Sequence, residues 1–519
     1  MNTFRNPILP GFYPDPSICR VGVDYYLVNS SFEYFPCIPI FHSRDLVHWR
    51  QIGHVIDRAS QLDMTGCDCS GGSWAPTIRH HSGKFYVANT MFAGKRGNFV
   101  ATADDPAGPW SDPHWIDDAP GIDPSVFFDD DGTCWFAAMQ YQPNPKWSGE
   151  ARIWLQELDL EAMKLVGARH DLWGGALLGA LATEGPHIYK VDGWYYLLVA
   201  EGGTFHDHAV TIARSRNITG PYEGNARNPI LTHRHLGLDY PIVGTGHADM
   251  VQTQNGDWWM VCLGMRPYGG YFHNLGRETF LTPVRWEEGW PIVSPGTGRV
   301  EFEYPCPSLP TCHWPTTPAC DHFDSPNLAL QWNFLRTPSA ESWSLSDRPG
   351  FLRLKLRPQT IMEKVHPSFV GRRQQHMNFT ARAAMEFSPK RANECAGVVV
   401  LQNTNFMYRL EVTRAPSGDA MVHLIKRREG TEETLCAQAI GSGRIYMKVE
   451  ARNQDYSFWV SDAPDAWRPV IEKADGRILS TQVATGFVGA YIGMYASSNG
   501  RPGGNVADFD WFEYLPMDG

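Results

Sequence analysis

The chain has 519 residues, too many for one ordinary core, so at least two domains are expected. Its 56 acidic and 45 basic residues leave a net charge of −11, which argues against a nucleic acid or an anionic membrane as partner and for a neutral ligand. An aromatic content of 13% with 49 Gly and 38 Pro predicts an all-β chain of short strands and tight turns, in which most of the 19 Trp are core.

Residues Met1 to Pro7 lack the apolar stretch of a signal peptide, and no apolar run reaches membrane-spanning length, so a cytoplasmic protein is expected. The hairpin signal at Gly11-Phe12-Tyr13-Pro14-Asp15-Pro16-Ser17 through Tyr25-Tyr26-Leu27-Val28 comes next. A residue before proline is pushed towards extended geometry, so Asp15 opens a strand, and Gly22 sits in the turn. The same shape returns from Trp74, Asp123, Glu184 and His247, roughly 50–60 residues apart, which suits four-stranded propeller blades. Each copy runs from a polar entrance through an apolar strand and a Gly turn to an aromatic strand. Five blades place Asp15, Trp74, Asp123, Glu184 and His247 in one central funnel. Between the copies, Cys67 and Cys69, and later Cys306, Cys312 and Cys320, lack C-x2-C spacing, so no zinc site is expected; eleven Cys without regular spacing suggest reduced thiols. Leu158 to Leu165 is the longest stretch with any amphipathic helical character. Gly202 and Gly203 are read as letting backbone approach a ligand.

The propeller is expected over residues 1–304, followed by a Pro-rich linker at 305–320. From 321 to 519, alternating strands such as Phe351 to Leu356 and Met447 to Ala451 predict a β-sandwich.

Paired carboxylates at fixed separation are what glycoside hydrolysis requires. Glu184, flanked by Thr183 and Gly185-Pro186, is a candidate acid whose proton burial and neighbouring carboxylates retain. Taken singly, Asp15 and Asp123 read equally well as turn-capping residues; their shared repeat phase with Glu184 favours a site. His247 is either a hydrogen-bonded axis residue, a substrate contact, or a ligand of a central divalent cation such as calcium. Arg277 either pairs with Glu278 or tunes a carboxylate and holds a sugar hydroxyl, and Trp74 and Phe32 are candidate stacking walls. A carbohydrate-binding propeller without catalysis would need the aromatics but not three converging carboxylates.

Residues 5–300 resemble glycoside hydrolase family 43, in particular its two-domain β-xylosidases, through Tyr13-Pro14-Asp15-Pro16-Ser17, Gly72-Ser73-Trp74-Ala75-Pro76, Gly121-Ile122-Asp123-Pro124-Ser125, Thr183-Glu184-Gly185-Pro186 and Leu275-Gly276-Arg277-Glu278-Thr279. The second half, notably Ala507 to Phe512, is similar to the concanavalin A-like jelly roll those enzymes carry. The resemblance implies a five-bladed propeller and an inverting exo-enzyme acting on xylo-oligosaccharides or arabinose-substituted oligosaccharides. Asp15 is then the general base, Glu184 the general acid, and Asp123 the carboxylate that orients the acid and sets its pKa. Arg277, Trp74 and Phe32 line the sugar subsite. No organic cofactor is implied; α-L-arabinofuranosidase activity is the alternative, and homo-oligomers are expected by analogy. Cys37 stands where a glycine is expected beyond Phe32, which puts the shape of the subsite in question.

Overall fold

A computed structural model describes residues 2–94, 96–441 and 443–517. Five antiparallel sheets follow one another in the chain, each built from consecutive strands. The first contains Ser17–Val21, Asp24–Val28, Cys37–Ser43 and Arg50–Ile56. The innermost strands of the five are Ser17–Val21, Thr77–His81, Ile122–Phe128, Glu184–Val191 and Val243–Gln252, and each packs against the next until the fifth meets the first. Among the described residues, ring closure uses no strand shared between the first and last blades. Instead, Thr3–Arg5 pairs with Glu303–Pro305, and the Asn6 side chain bonds the backbone of Leu281 and Glu301.

The entrances share a local device. Pairing slips a register between Ile122 and Ser125, between Glu184 and His187, and between Gly246 and Asp249, so each strand bulges where it enters the ring. Asp15, Asp123, Gly185 and His247 all have left-handed backbone there, with φ of 52°, 56°, 58° and 41°. These four, with Ala75, are the equivalent positions; Trp74 and Glu184 stand one residue ahead of them. The repeat phase read from the sequence is therefore off by one residue in two blades. All five predicted residues nevertheless line one cavity.

Below the entrances the axis is filled by charge. Asp249, fully buried, accepts Arg79 Nη1 at 2.9 Å, Ser17 Oγ at 2.7 Å and Tyr189 O–H at 2.6 Å, and Arg79 Nη2 donates to His187 Nδ1 at 3.0 Å. Residues of blades one, two, four and five are thus tied to one ion pair. Removing one partner of a buried pair strands the other, so Asp249→Ala should lower the unfolding free energy by about 3–5 kcal/mol. Denaturant titration of the intact chain checks this, and a change well below that range would mean that the pair is not structural.

The sandwich pairs an eight-stranded sheet containing Asn378–Glu386, Arg444–Arg452 and Val506–Pro516 with a six-stranded sheet containing Ser368–Arg373, Cys395–Asn403 and Tyr491–Ser497. Phe379, Met447, Phe458, Val398, Leu410 and Phe509 fill the space between them. It is welded to the propeller: Phe334–Leu335 pairs with Tyr34–Phe35, and the fully buried Arg336 donates to Cys67 O at 2.8 Å. Residues 305–320 lie along blade one, where Cys312 N–H donates to Asp45 and the Trp314 indole to His48 O, so the Pro-rich stretch is a strap laid on the propeller. Leu158 to Leu165 is no helix; it spans the turn between strands Ala151–Asp159 and Lys164–Trp173, and Leu158, Leu160, Met163 and Leu165 pack into the blade core from it. All eleven cysteines are free thiols.

Candidate active site

At the top of the axis lies a small cavity, about 60 Å³, lined by Asp15, Phe32, Trp74, Asp123, Glu184, His247 and Arg277, together with Ala75, Ile122, Thr204 and Phe487. Every site residue read from the sequence faces it. The last four were not foreseen, and Phe487 comes from the sandwich, for which no repeat signal existed.

Arg277 resolves its two readings. Glu278 is taken by Arg266 at 2.7 and 2.8 Å, while Arg277 Nη1 donates to Asp15 Oδ1 at 2.7 Å and to Thr204 Oγ1 at 3.0 Å. Its Nη2 reaches Phe487 O at 3.3 Å, so the same guanidinium ties the propeller carboxylate to the sandwich loop. Ser30 Oγ donates to Asp15 Oδ2 at 2.5 Å. Burial pushes the Asp15 carboxyl up, but Arg277, His247 and the Ser30 hydrogen bond outweigh it and hold it below the ordinary value.

Glu184 is in the opposite state. Burial and the Asp15 charge raise it to about 7, against the pull of Arg277. Asp123 is pushed well above its ordinary value by burial, Glu184 and Asp15, opposed by the Gly185 N–H, which donates to Asp123 Oδ2 at 3.2 Å. Two adjacent carboxyls of this kind titrate as one unit. The Gly185 N–H favours charge on Asp123 and offsets part of that rise. Gly185 has to lack a side chain: a Cβ there would stand 3.0 Å from the His247 ring.

Phe32, Trp74 and Phe487 form an aromatic collar, with ring centroids 6.1 Å apart for Phe32 and Trp74 and 5.7 Å for Trp74 and Phe487. Ser70 sets it: its carbonyl accepts the Trp74 indole N–H at 3.1 Å and its hydroxyl accepts the Phe487 N–H at 2.9 Å. Two features read from the sequence lie elsewhere. Cys37 is buried in the propeller–sandwich core against Met64, away from the cavity, so it does not shape the subsite. Gly202 serves its own turn, where a Cβ would meet Asp207 O at 2.2 Å; only the next polar residue, Thr204, reaches the site.

Donor atoms of Asp123, Glu184 and His247 all lie within 4.8 Å of one another, the grouping nearest to the cation site considered for His247. The donor set does not suit calcium, which takes six to eight oxygens. One donor is an imidazole nitrogen, both carboxyls are driven towards their uncharged forms, and Arg79 already supplies the positive charge on the axis beneath.

Comparison with known proteins agrees with this geometry. Residues 4–291 match the model of glycosyl hydrolases family 43, and residues 320–515 match the beta xylosidase C-terminal concanavalin A-like domain. A xylosidase/arabinosidase of Butyrivibrio fibrisolvens is 47% identical over 98% of both chains. A non-reducing end alpha-L-arabinofuranosidase of Bacteroides ovatus is 42% identical, spanning 99% of this chain and 95% of its own. The crystal structure of a xylan beta-1,4-xylosidase from Bacillus halodurans C-125 superposes with a TM-score of 0.93 at 38% identity, covering 99% of this chain and 100% of the other. With its carboxylates gathered in the mouth of a five-bladed propeller and its second domain closing over them, this chain belongs to glycosyl hydrolases family 43.

Proposed function

We propose that the cavity hydrolyses the terminal glycosidic bond at the non-reducing end of short β-1,4-xylo-oligosaccharides, releasing one xylose per event with inversion at the anomeric carbon. The observation that carries this reading is the split between two carboxyls facing one cavity: Asp15 is held ionised by Arg277 while Glu184 keeps its proton to about pH 7. Carboxyls whose environments push them apart are a base and an acid ready for use at one pH. Asp15 takes a proton from water as the water attacks the anomeric carbon; Glu184 gives its proton to the departing glycosidic oxygen; Asp123, fixed by Gly185 N–H, holds Glu184 in its protonated state. The cavity is small, and the collar including Phe487 favours one terminal ring over a threaded chain. The net charge of −11 supports a neutral saccharide over nucleic acid.

The names of the relatives support a second substrate. One is called a xylosidase/arabinosidase and another an arabinofuranosidase, so α-L-arabinofuranosides are expected to enter the same cavity. A proton NMR time course with xylobiose, p-nitrophenyl β-xyloside and p-nitrophenyl α-L-arabinofuranoside separates the readings. From xylobiose, α-xylose is expected first. Appearance of β-xylose first would remove water activation from Asp15. Cleavage of the arabinoside alone would make that the substrate, and saccharide binding with no cleavage would leave a binding propeller.

A further inference from the structure

A second cleft, of about 680 Å³, lies at the seam where blade one, the Pro-rich strap and the sandwich meet. Its walls come from Val47 to Gln51 of blade one, His313 to Thr317 of the strap, and Arg372 and Gln375 of the sandwich.

Two properties distinguish it. First, it is aromatic and amide-lined, as saccharide sites are: Trp49, Trp314 and Tyr13 offer ring surface, and Gln51, Gln331 and Gln375 offer donors and acceptors. Trp314 is held in place by its indole bond to His48 O at 3.0 Å and by Arg50, whose guanidinium carbon sits 3.9 Å from the ring centre. Second, in a chain with 56 acidic residues, the lining contains no Asp or Glu while it contains Arg50, Arg372, His48 and His313. Neither arginine forms an ion pair among the described residues. Arg372 donates from Nη2 to Gln375 Oε1 at 2.9 Å and lies over the Tyr514 ring at 4.4 Å, and its Nε is buried without a hydrogen-bond partner. Asp45, behind this wall, is consumed by the N–H groups of Val47, His48 and Cys312 and by the His48 ring, and Asp321 acts on Arg372 through space without pairing with it. Arg372, partly desolvated and without a paired carboxylate, is costly unless an anion meets it.

We propose that this cleft is a second saccharide-binding site that takes a carboxylate-bearing sugar, a uronic acid carried on a pentose oligosaccharide, with its carboxylate between Arg50 and Arg372 and its ring against the aromatic wall. The guanidinium fork suits a carboxylate, and the rings suit the apolar face of a sugar. The choice of a pentose carrier rests on the function proposed above; the anionic sugar itself rests on the cleft alone. Occupancy would hold acidic oligosaccharides on the enzyme away from the cavity.

Isothermal titration of the full-length Glu184→Gln chain with a glucuronate-substituted xylotetraose and with plain xylotetraose tests this. Two sites are expected for the acidic sugar and one for the neutral one. Arg372→Gln should weaken the extra site at least tenfold; Arg50→Gln, at an exposed side chain, should do so as well. In the otherwise wild-type chain, both changes should leave p-nitrophenyl β-xyloside turnover unaltered. Free glucuronate binding lost in the two variants would support the cleft even if no pentoside were cleaved, which keeps this proposal separate from the catalytic one. Equal stoichiometry for both sugars would overturn it. So would inorganic phosphate binding as tightly as the acidic sugar, which would leave a bare anion site, or dissociation of a self-assembled species in Arg50→Gln on sedimentation, which would make this face a contact between copies of the chain.

Discussion

Replacing Glu184 by Gln is expected to reduce xylobiose hydrolysis by about 10²–10⁴-fold, the range that general acid catalysis contributes, and to reduce p-nitrophenyl β-xyloside hydrolysis far less. Gln keeps the shape and loses the proton. A sugar alkoxide cannot depart without that proton, whereas p-nitrophenolate is stable enough to depart alone. The pH profile should change in the same variant. An acid must be protonated to act, so wild-type kcat/KM falls as pH rises through the Glu184 value of about 7, and this alkaline limb should vanish in Glu184→Gln. Equal losses on both substrates with the limb intact would assign the proton to another group, Asp123 first, since burial and its neighbours also raise that carboxyl.

The propeller was legible because it repeats. Alternating apolar residues, Gly turns and Asp-Pro entrances recur at a spacing that only stacked blades explain, and two of the three carboxylates, Asp15 and Asp123, sit at equivalent left-handed positions. Glu184 was found for a slightly wrong reason: it precedes the left-handed Gly185 rather than occupying that position, a one-residue offset invisible without the register slip at this entrance. Arg277 stayed ambiguous in sequence because its neighbour Glu278 offered a local partner, and only the distant Arg266 removes that option. Phe487 could not be read at all. It lies between Gly486 and Val488 in a loop of the sandwich, and its place in the cavity depends on docking through Ser70 and Arg277, contacts separated by hundreds of residues. The strap at 305–320 shows the same limit: proline spacing predicts extended backbone, while its attachment to Asp45 and His48 is tertiary.

Asp15→Asn should lower turnover of both xylobiose and p-nitrophenyl β-xyloside by about 10²–10⁴-fold, without the leaving-group dependence expected for Glu184. Water activation precedes any question of which group departs, so a better leaving group cannot compensate. The geometry keeps this substitution clean. Asn retains an oxygen for Arg277 Nη1, now 2.7 Å from Oδ1, and the Ser30 hydroxyl can rotate to accept from the new amide, so the fold should survive although Arg277 loses its counter-charge. Wild-type activity should persist to unusually low pH, because Arg277, His247 and Ser30 hold Asp15 below the ordinary carboxylate range and a base fails only as pH falls through its own pKa. Azide, which attacks without giving up a proton, should restore part of the p-nitrophenyl β-xyloside turnover in Asp15→Asn and yield the α-glycosyl azide. Rescue giving the β-azide, or a loss on xylobiose alone, would contradict a base acting on the face opposite the leaving group. Because the guanidinium that keeps Asp15 ionised also bonds Phe487 O, ionisation of the base and closure of the collar depend on one residue, so the charge needed for attack is in place only where the sandwich is docked.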